Sequence, residues 1–177
     1  LNQMTQTHIA LSAPEIHALT PEDLATFSPI LPNQQVSAIR LVFQGPFAGT
    51  AALVFSPESA DTLVTLLLGE PSIGLDRDSL RIGTLQEVGN IVLNGVLGAM
   101  CNLVCEHVDF VPPDYFEDSF ENLLRDTRRE TGGVLFIRAR FHMEERAVEG
   151  DILIIFRLGS FDLLLAKIQT LAEGLAA

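Results

Sequence analysis

The sequence predicts an α+β fold: a pseudo-two-fold repeat of β-α-β-β-α units, with a largely antiparallel sheet and long helices packed on one face. Two pairs of strand-like segments, each pair joined by a turn, indicate two β-hairpins. The hairpins resemble each other at a spacing of about 100 residues. Between them lies a long segment with helical periodicity. With 177 residues, 47% of them hydrophobic, the chain is long enough for a single domain with its own core.

The first half-repeat, residues 1–70, contains a strand, a short helix, a hairpin and a second helix. Both helix starts combine a hydroxyl side chain, Pro in the first turn and an acidic residue at the positive end of the helix dipole. Branched and aromatic residues mark the strands. The predicted elements are a strand at Thr7–Leu11, a helix from Thr20 to about Ser28, strands at Val36–Phe43 and Ala48–Phe55, and a helix from Ser56 to about Leu68.

The second half-repeat, residues 80–177, follows a linker at 71–79 that contains Gly, Pro and Asp. After its long first helix it repeats the order of strand, helix, hairpin and helix. The predicted elements are a helix from Leu80 to about Val104 capped by Asp78 or Ser79, a strand at Val108–Val111, a helix at Asp118–Arg128, strands at Val134–Met143 and Asp151–Leu158, and a closing helix at Ser160–Leu175.

The match between the two copies favours a pseudo-two-fold domain over a solenoid, because the repeat is long and occurs twice. By the same symmetry, another long helix is expected before the first copy. The matched positions are Ile39–Phe43 with Ile137–Phe141, Gly49 with Gly150, and Phe55 with Phe156.

Composition excludes several classes of partner. Lys and Arg total 11 against 23 Asp and Glu, a formal charge of −12, which argues against nucleic acid and against a polybasic membrane anchor. No apolar segment reaches the roughly 18 residues of a membrane-spanning helix. The cysteines, Cys101 and Cys105, indicate a reducing cytoplasm. Together with His107 they lack a standard metal-ligand spacing, so we expect no metal site and interpret both cysteines as core residues.

The long helix carries the candidate chemistry. Helical arithmetic places Glu87, Asn90 and Asn94 within an arc of about 60°, with Gly83, Gly98 and Cys101 on or near it. Small neighbours would leave a Glu and an Asn free to enter the site of a partner. A second interpretation is that the glycines permit close helix packing and the asparagines are merely exposed. The predicted buried stripe on the other side is Leu85, Val88, Val92, Val96, Ala99 and Leu103.

The segment Glu87-Val88-Gly89-Asn90, with Pro113 following, resembles the phosphatase signature of the CheC/CheX/FliY family. That signature is Asp or Ser, three residues, Glu, two residues, Asn, then twenty-two residues and Pro. Glu87, Asn90 and Pro113 match it, and the duplicated layout extends the resemblance over nearly the whole chain. Gly83 departs from it, although Thr84 is adjacent. A second site would fall before Leu1, so the sequence contains one candidate site.

The resemblance implies a phosphatase that hydrolyses the aspartyl phosphate of a CheY-type response regulator. Asn90 would hold the attacking water, and Glu87 would contact a Lys of the regulator. Gly83, Thr84 and Asn94 would extend the contact face, and Pro113 would shape the turn after the helix. The resemblance implies no cofactor of its own, since the regulator supplies Mg²⁺.

Another class of function is compatible with the same resemblance. A non-catalytic interaction module would bind CheD or act like the flagellar switch protein FliM, whose middle domain shares the fold without a phosphatase site. The family contains both monomers and homodimers. An enzyme acting on small molecules is disfavoured, because the sequence has no P-loop, nucleotide fingerprint, Ser/His/Asp set or metal cluster.

Overall fold

The computed structural model describes residues 9–20, 23, 35–69, 77–104, 106–125, 134–143, 148–157, 166, 169 and 170. Eight strands and three helices have bounds within them, and residues 23, 166, 169 and 170 are also helical. The strands are β1 (Ile9–Leu11), β2 (Glu15–Leu19), β3 (Gln35–Gln44), β4 (Gly49–Phe55), β5 (Asp109–Phe110), β6 (Asp114–Ser119), β7 (Val134–Met143) and β8 (Val148–Arg157). The helices are α1 (Pro57–Leu68), α2 (Arg77–Val104) and α3 (Phe120–Arg125).

All strand pairings in the eight-stranded sheet are antiparallel, which confirms the predicted fold class. The order is β1-β7-β8-β4-β3-β5, with β2 also paired to β7 and β6 also paired to β3. The first two strands of each half-repeat therefore pair with the hairpin of the other half-repeat. This exchange joins the two copies into one sheet.

The register at the centre of the sheet confirms the repeat. Where β4 meets β8, Gly49 lies opposite Phe156 and Phe55 lies opposite Gly150. The matched pairs are thus exchanged across a pseudo-two-fold axis. A Cβ on Gly49 would lie 2.2 Å from the Ile155 carbonyl oxygen, so glycine is required there by close approach.

The equivalent aromatic contacts repeat as well. Phe43 packs edge-on against Phe156 with ring centroids 5.4 Å apart, and Phe141 packs edge-on against Phe55 at 5.5 Å. A Cβ on Gly150 would lie 2.4 Å from Cε1 of Phe141. Each glycine thus makes room for an aromatic ring of its own hairpin.

Two cores lie on the two faces of the sheet, because successive strand residues point to opposite faces. Helices α1 and α2 cover one face, as predicted, and α3 covers the other. The first core includes Phe43, Phe47, Phe55, Leu63, Leu85, Val88, Leu93 and Phe156. The second consists of Val36, Ala38, Ala52, Val54, Phe120, Leu123, Phe136, Leu153 and Ile155.

The predicted helix starts are partly confirmed. The Ser56 side chain accepts a hydrogen bond from the Ser59 amide at 3.1 Å and caps α1. Thr20 Oγ1 accepts from the Asp23 amide at 3.1 Å while the Asp23 carboxylate accepts from the Thr20 amide at 3.0 Å, a reciprocal cap. The cap predicted at Asp78 or Ser79 is wrong: α2 begins at Arg77, so residues 77–79 of the predicted linker belong to the helix.

Other element boundaries need correction. Strands β2 and β6 were not predicted, and the helix predicted from Asp118 begins only at Phe120, because residues 118 and 119 belong to β6. Strand β8 begins at Val148 rather than Asp151. Most of the predicted closing helix, the turn at 144–145 and residues 1–8 lie outside the described residues.

The buried face of α2 follows the i+4 row rather than the predicted stripe. Leu85 and Val88 are buried as predicted and Val92 and Val96 are partly buried, but Ala99 is exposed and Cys101 is buried. An i+4 ridge is inclined to the helix axis, so the contact face rotates along the helix. The side chain of Leu103 lies outside the described residues. The fully buried row is Leu85, Gly89, Leu93, Leu97 and Cys101.

Candidate functional site

An open cleft of about 620 Å³ runs along the outward side of α2. It brings together every predicted site residue except Thr84. Helix α2 forms one wall and the segment after β5 forms the other. The lining residues are Leu41, Gly83, Gln86, Glu87, Asn90, Asn94, Phe110, Val111, Pro112 and Pro113.

The second wall explains the long spacing to Pro113. Helix α2 carries the chain away from Asn90, and β5 returns it along β3, where Phe110 pairs with Phe43. The Val111 amide donates to the Val42 carbonyl at 2.9 Å, and Gln86 Nε2 donates to the Pro113 carbonyl at 3.4 Å. The signature Pro therefore lies across the cleft from Glu87 and Asn90.

This wall also exposes apolar surface beside the polar face of α2. Phe110 and Val111 are 40% and 47% exposed, well above the core residues. Sequence patterns did not predict a site role for four of the lining residues: Phe110, Val111, Pro112 and Gln86. Val108–Val111 was interpreted only as a strand, and its apolar character gave no signal that part of it lies on the surface.

Asn90 and Asn94 are joined by a hydrogen bond. Asn94 Nδ2 donates to Asn90 Oδ1 at 2.6 Å, across one turn of the helix. Both side chains are half-buried and line the cleft. Asn94 Oδ1 is buried and has no partner among the residues that the structure describes.

Glu87 is exposed and lies about one turn before Asn90 and about two turns before Asn94. Within the described part of the chain it makes no hydrogen bond or ion pair. Its neighbours Val88 and Gly89 are buried against the sheet, which fixes the direction in which the helix presents it. The helix thus presents the Glu87 carboxylate, which has no partner among the described residues, beside the Asn90 amide, which accepts a hydrogen bond from Asn94.

The residue at the first signature position, Gly83, has no side chain. A Cβ on Gly83 would meet nothing within 4 Å. The adjacent Thr84 does not substitute for it, because its hydroxyl donates to the Leu80 carbonyl at 2.8 Å and the residue does not line the cleft.

An unpredicted network fixes the N-terminal part of α2. Arg81 donates to Asp61 of α1 at 2.7 Å, to Glu117 of β6 at 3.3 Å, to Ser37 of β3 at 3.1 Å and to the Tyr115 hydroxyl. Burial alone would lower the pKa of Arg81, but hydrogen bonds to Asp61 and Tyr115 and the charge of Glu117 raise it. Three elements, α1, β3 and β6, thus hold α2 about two turns before Glu87 and Asn90.

Neither a metal cluster nor a membrane-spanning helix is found in the part of the chain that the structure describes. Of the three residues considered for a metal, Cys101 is buried, His107 is almost fully exposed, and Cys105 lies outside the described residues.

Comparison with solved structures finds FliY, CheX and FliM middle domains. FliY from Thermotoga maritima is 10% identical, with a TM-score of 0.66 over 96% of this chain and 86% of that chain. A chain of the CheX-CheY-BeF3-Mg²⁺ complex from Borrelia burgdorferi is 17% identical, with a TM-score of 0.58 over 88% of this chain and 89% of that chain. The FliM middle domain from H. pylori is 14% identical, with a TM-score of 0.51 over 94% of this chain and 86% of that chain.

These likenesses confirm the predicted resemblance at the level of the fold. No protein-family model matches the sequence, and no curated protein matches it closely enough to count as a relative. The fold is shared by CheX, FliY and FliM middle domains. The shared fold does not distinguish the functions of these proteins, so the residues that line the cleft must do so.

Proposed function

We propose that this chain is a phosphatase that hydrolyses the aspartyl phosphate of a CheY-type response regulator. One observation carries the proposal: Glu87 and Asn90 line one wall of an open cleft, and Pro113 lies on the other. All three keep the signature spacing. A solved complex joins CheX to CheY with BeF3 and Mg²⁺, so a protein of this fold presents a surface to such a regulator.

The reaction requires little chemistry from the phosphatase itself. Water attacks the phosphorus, the bond between phosphorus and the aspartyl oxygen breaks, and the products are phosphate and the free Asp of the regulator. Mg²⁺ and a Lys come from the regulator and balance the developing charge. The missing component is an oriented water. Asn90 has both an acceptor and donors and no charge that would repel phosphoryl oxygens.

Glu87 has a different role in this proposal. Its carboxylate has no partner among the described residues, so it is available to a cation on the regulator. A contact with the regulator's Lys would fix the docking register more than it adds affinity. Phe110 and Val111 would add apolar contact beside it. The predicted cytoplasmic location belongs to the same proposal.

A decay assay tests the proposal. A CheY-type regulator is phosphorylated with a small phosphodonor, the donor is removed, and loss of the phosphoryl group is followed with and without this protein. We expect acceleration of about 10²-fold from a positioned water. Asn90→Ala should abolish it while binding to the BeF3-loaded regulator persists, and Asn102→Ala, on the same helix beyond the cleft, should retain it. Wild-type turnover by Asn90→Ala would overturn the assignment.

The second candidate is a non-catalytic interaction module, and Gly83 favours it, because the first signature side chain is absent. The structural similarity to the FliM middle domain also favours this candidate. CheD or a second copy of the chain would then be the partner to test. Binding to two or three phosphorylated regulators without faster decay would support this candidate over the phosphatase.

A further inference from the structure

The hydrogen bond from Asn94 Nδ2 to Asn90 Oδ1 connects the proposed water-holding residue to a residue outside the Glu-x-x-Asn signature. The terminal torsion of an Asn side chain is broad, so a free Asn90 would present either end of its amide to the cleft. With Asn94 donating, the orientation with Oδ1 toward Asn94 is stabilised. The opposite orientation would bring two NH₂ groups together.

Reversal of both amides at once is also disfavoured. It would place the Asn94 NH₂ group where its oxygen now lies, buried and without a partner in the described part of the chain. An unpaired buried N–H is rarer in proteins than an under-satisfied carbonyl oxygen. The surroundings of Asn94 therefore select one orientation for Asn90.

We propose that Asn94 is a positioning residue that sets the amide of Asn90 before the regulator arrives; this inference rests on the proposed phosphatase function. Asn90 Oδ1 has two lone pairs, and Asn94 occupies one of them. The other stays available to the attacking water, and both Nδ2 hydrogens stay available to phosphoryl oxygens. Donation into Oδ1 also polarises the amide and strengthens its N–H donors.

The first test uses the free protein and requires no activity. In ¹⁵N-labelled protein, the Asn90 side-chain NH₂ signal is assigned by its loss in Asn90→Ala, and its ¹⁵N–¹H heteronuclear NOE is measured. We expect an ordered amide in wild type and in Asn102→Ala, and a mobile one in Asn94→Ala. Unchanged order in Asn94→Ala, with its fold verified by thermal unfolding, overturns the inference.

The second test separates positioning from partner binding. Loss of one hydrogen bond corresponds to about 3- to 10-fold in rate, so Asn94→Ala should lower kcat by that factor and leave KM within about twofold. Asn94→Gln, which keeps a donor, should retain more kcat than Ala. Asn94→Asp should retain less, because its carboxylate accepts from Asn90 Nδ2 and reverses the amide.

The outcomes distinguish the two proposals. A raised KM with wild-type kcat in Asn94→Ala assigns Asn94 to partner binding and overturns positioning, while the phosphatase stands. If wild type itself gives no acceleration, the proposed function fails, and positioning for catalysis fails with it. The NOE then establishes only whether Asn94 orders the Asn90 amide.

Discussion

Gly89 of α2 lies directly on Ile39 of β3: a Cβ on Gly89 would come within 2.3 Å of Ile39 Cγ2. Glycine costs about 1 kcal/mol relative to alanine inside a helix. Here that cost is offset by close approach of the helix to the sheet. Because Gly89 lies between Glu87 and Asn90, the contact also fixes the depth at which both stand in the cleft.

Gly89→Ala is therefore expected to destabilise the fold in spite of its better helix propensity. Overpacking of this kind costs about 1–3 kcal/mol. Gly95→Ala is the matched control, because a Cβ there meets nothing within 4 Å and should stabilise the helix by up to about 1 kcal/mol. Urea unfolding measures both. Equal stability of the two variants would contradict the close-packing role, and Ile39→Ala should relieve part of the cost of Gly89→Ala.

Glu87→Lys should weaken docking more than it slows chemistry. A Lys facing the regulator's Lys brings like charges together, so we expect KM to rise at least about 10-fold, with a smaller change in kcat. Glu121→Lys changes the net charge equally on α3, at the opposite face of the sheet, and controls for long-range steering. If the contact is solvent-exposed, added salt screens it, and the difference in KM between the two variants should become smaller. An unchanged KM in Glu87→Lys would remove Glu87 from the docking surface.

The hairpins and α1 could be predicted from the sequence because each has a local cause, and the repeat could be predicted because its two copies share residues at matched positions. Branched and aromatic residues marked the strands, and Ser56 with Pro57 marked the start of α1. Strands β2 and β6 had no such signal. They are half-exposed, follow proline breaks and, in β6, carry three acidic residues, a type depleted in strands. Pairing with β7 and β3, which is a tertiary effect, makes them strands.

Apart from Pro113, which the family signature marked, the site was predictable on one wall only. Helical spacing placed Glu87, Asn90 and Asn94 on one arc, and all three line the cleft. The opposite wall depends on β5 returning along β3, and the sequence contains no local sign of that path. Contacts made by Gln86 and Arg81 likewise depend on residues 27 and 36 positions away.

The repeat supplies a matched comparison of two ion pairs. Arg138 and Arg40 are equivalent, but Arg138 Nε binds Asp151 at 2.7 Å with side chains only 10% and 13% exposed, whereas Asp114, the partner of Arg40, is 51% exposed. Removing one member of a buried pair costs about 3 kcal/mol or more, and an exposed pair contributes below about 1 kcal/mol. Asp151→Ala should therefore lower the free energy of unfolding far more than Asp114→Ala. Similar losses in urea unfolding would show that burial does not separate the two pairs.

Gly83→Ser should increase phosphatase activity. The substitution restores a hydroxyl at the first signature position, and its Cβ would meet nothing within 4 Å, so no backbone or neighbour has to shift. The residue lines the cleft on the same arc as Glu87 and Asn90, within reach of the same partner. Serine is also a better helix former than glycine, which should stabilise α2 by a few tenths of a kcal/mol.

Gly95→Ser separates the two effects, because it gives the same gain in helix propensity at an open position outside the cleft. Regulator dephosphorylation and urea unfolding are measured for both variants. We expect equal stabilisation, with faster turnover in Gly83→Ser alone. Equal turnover in the two variants would mean that the missing side chain at Gly83 does not limit the reaction.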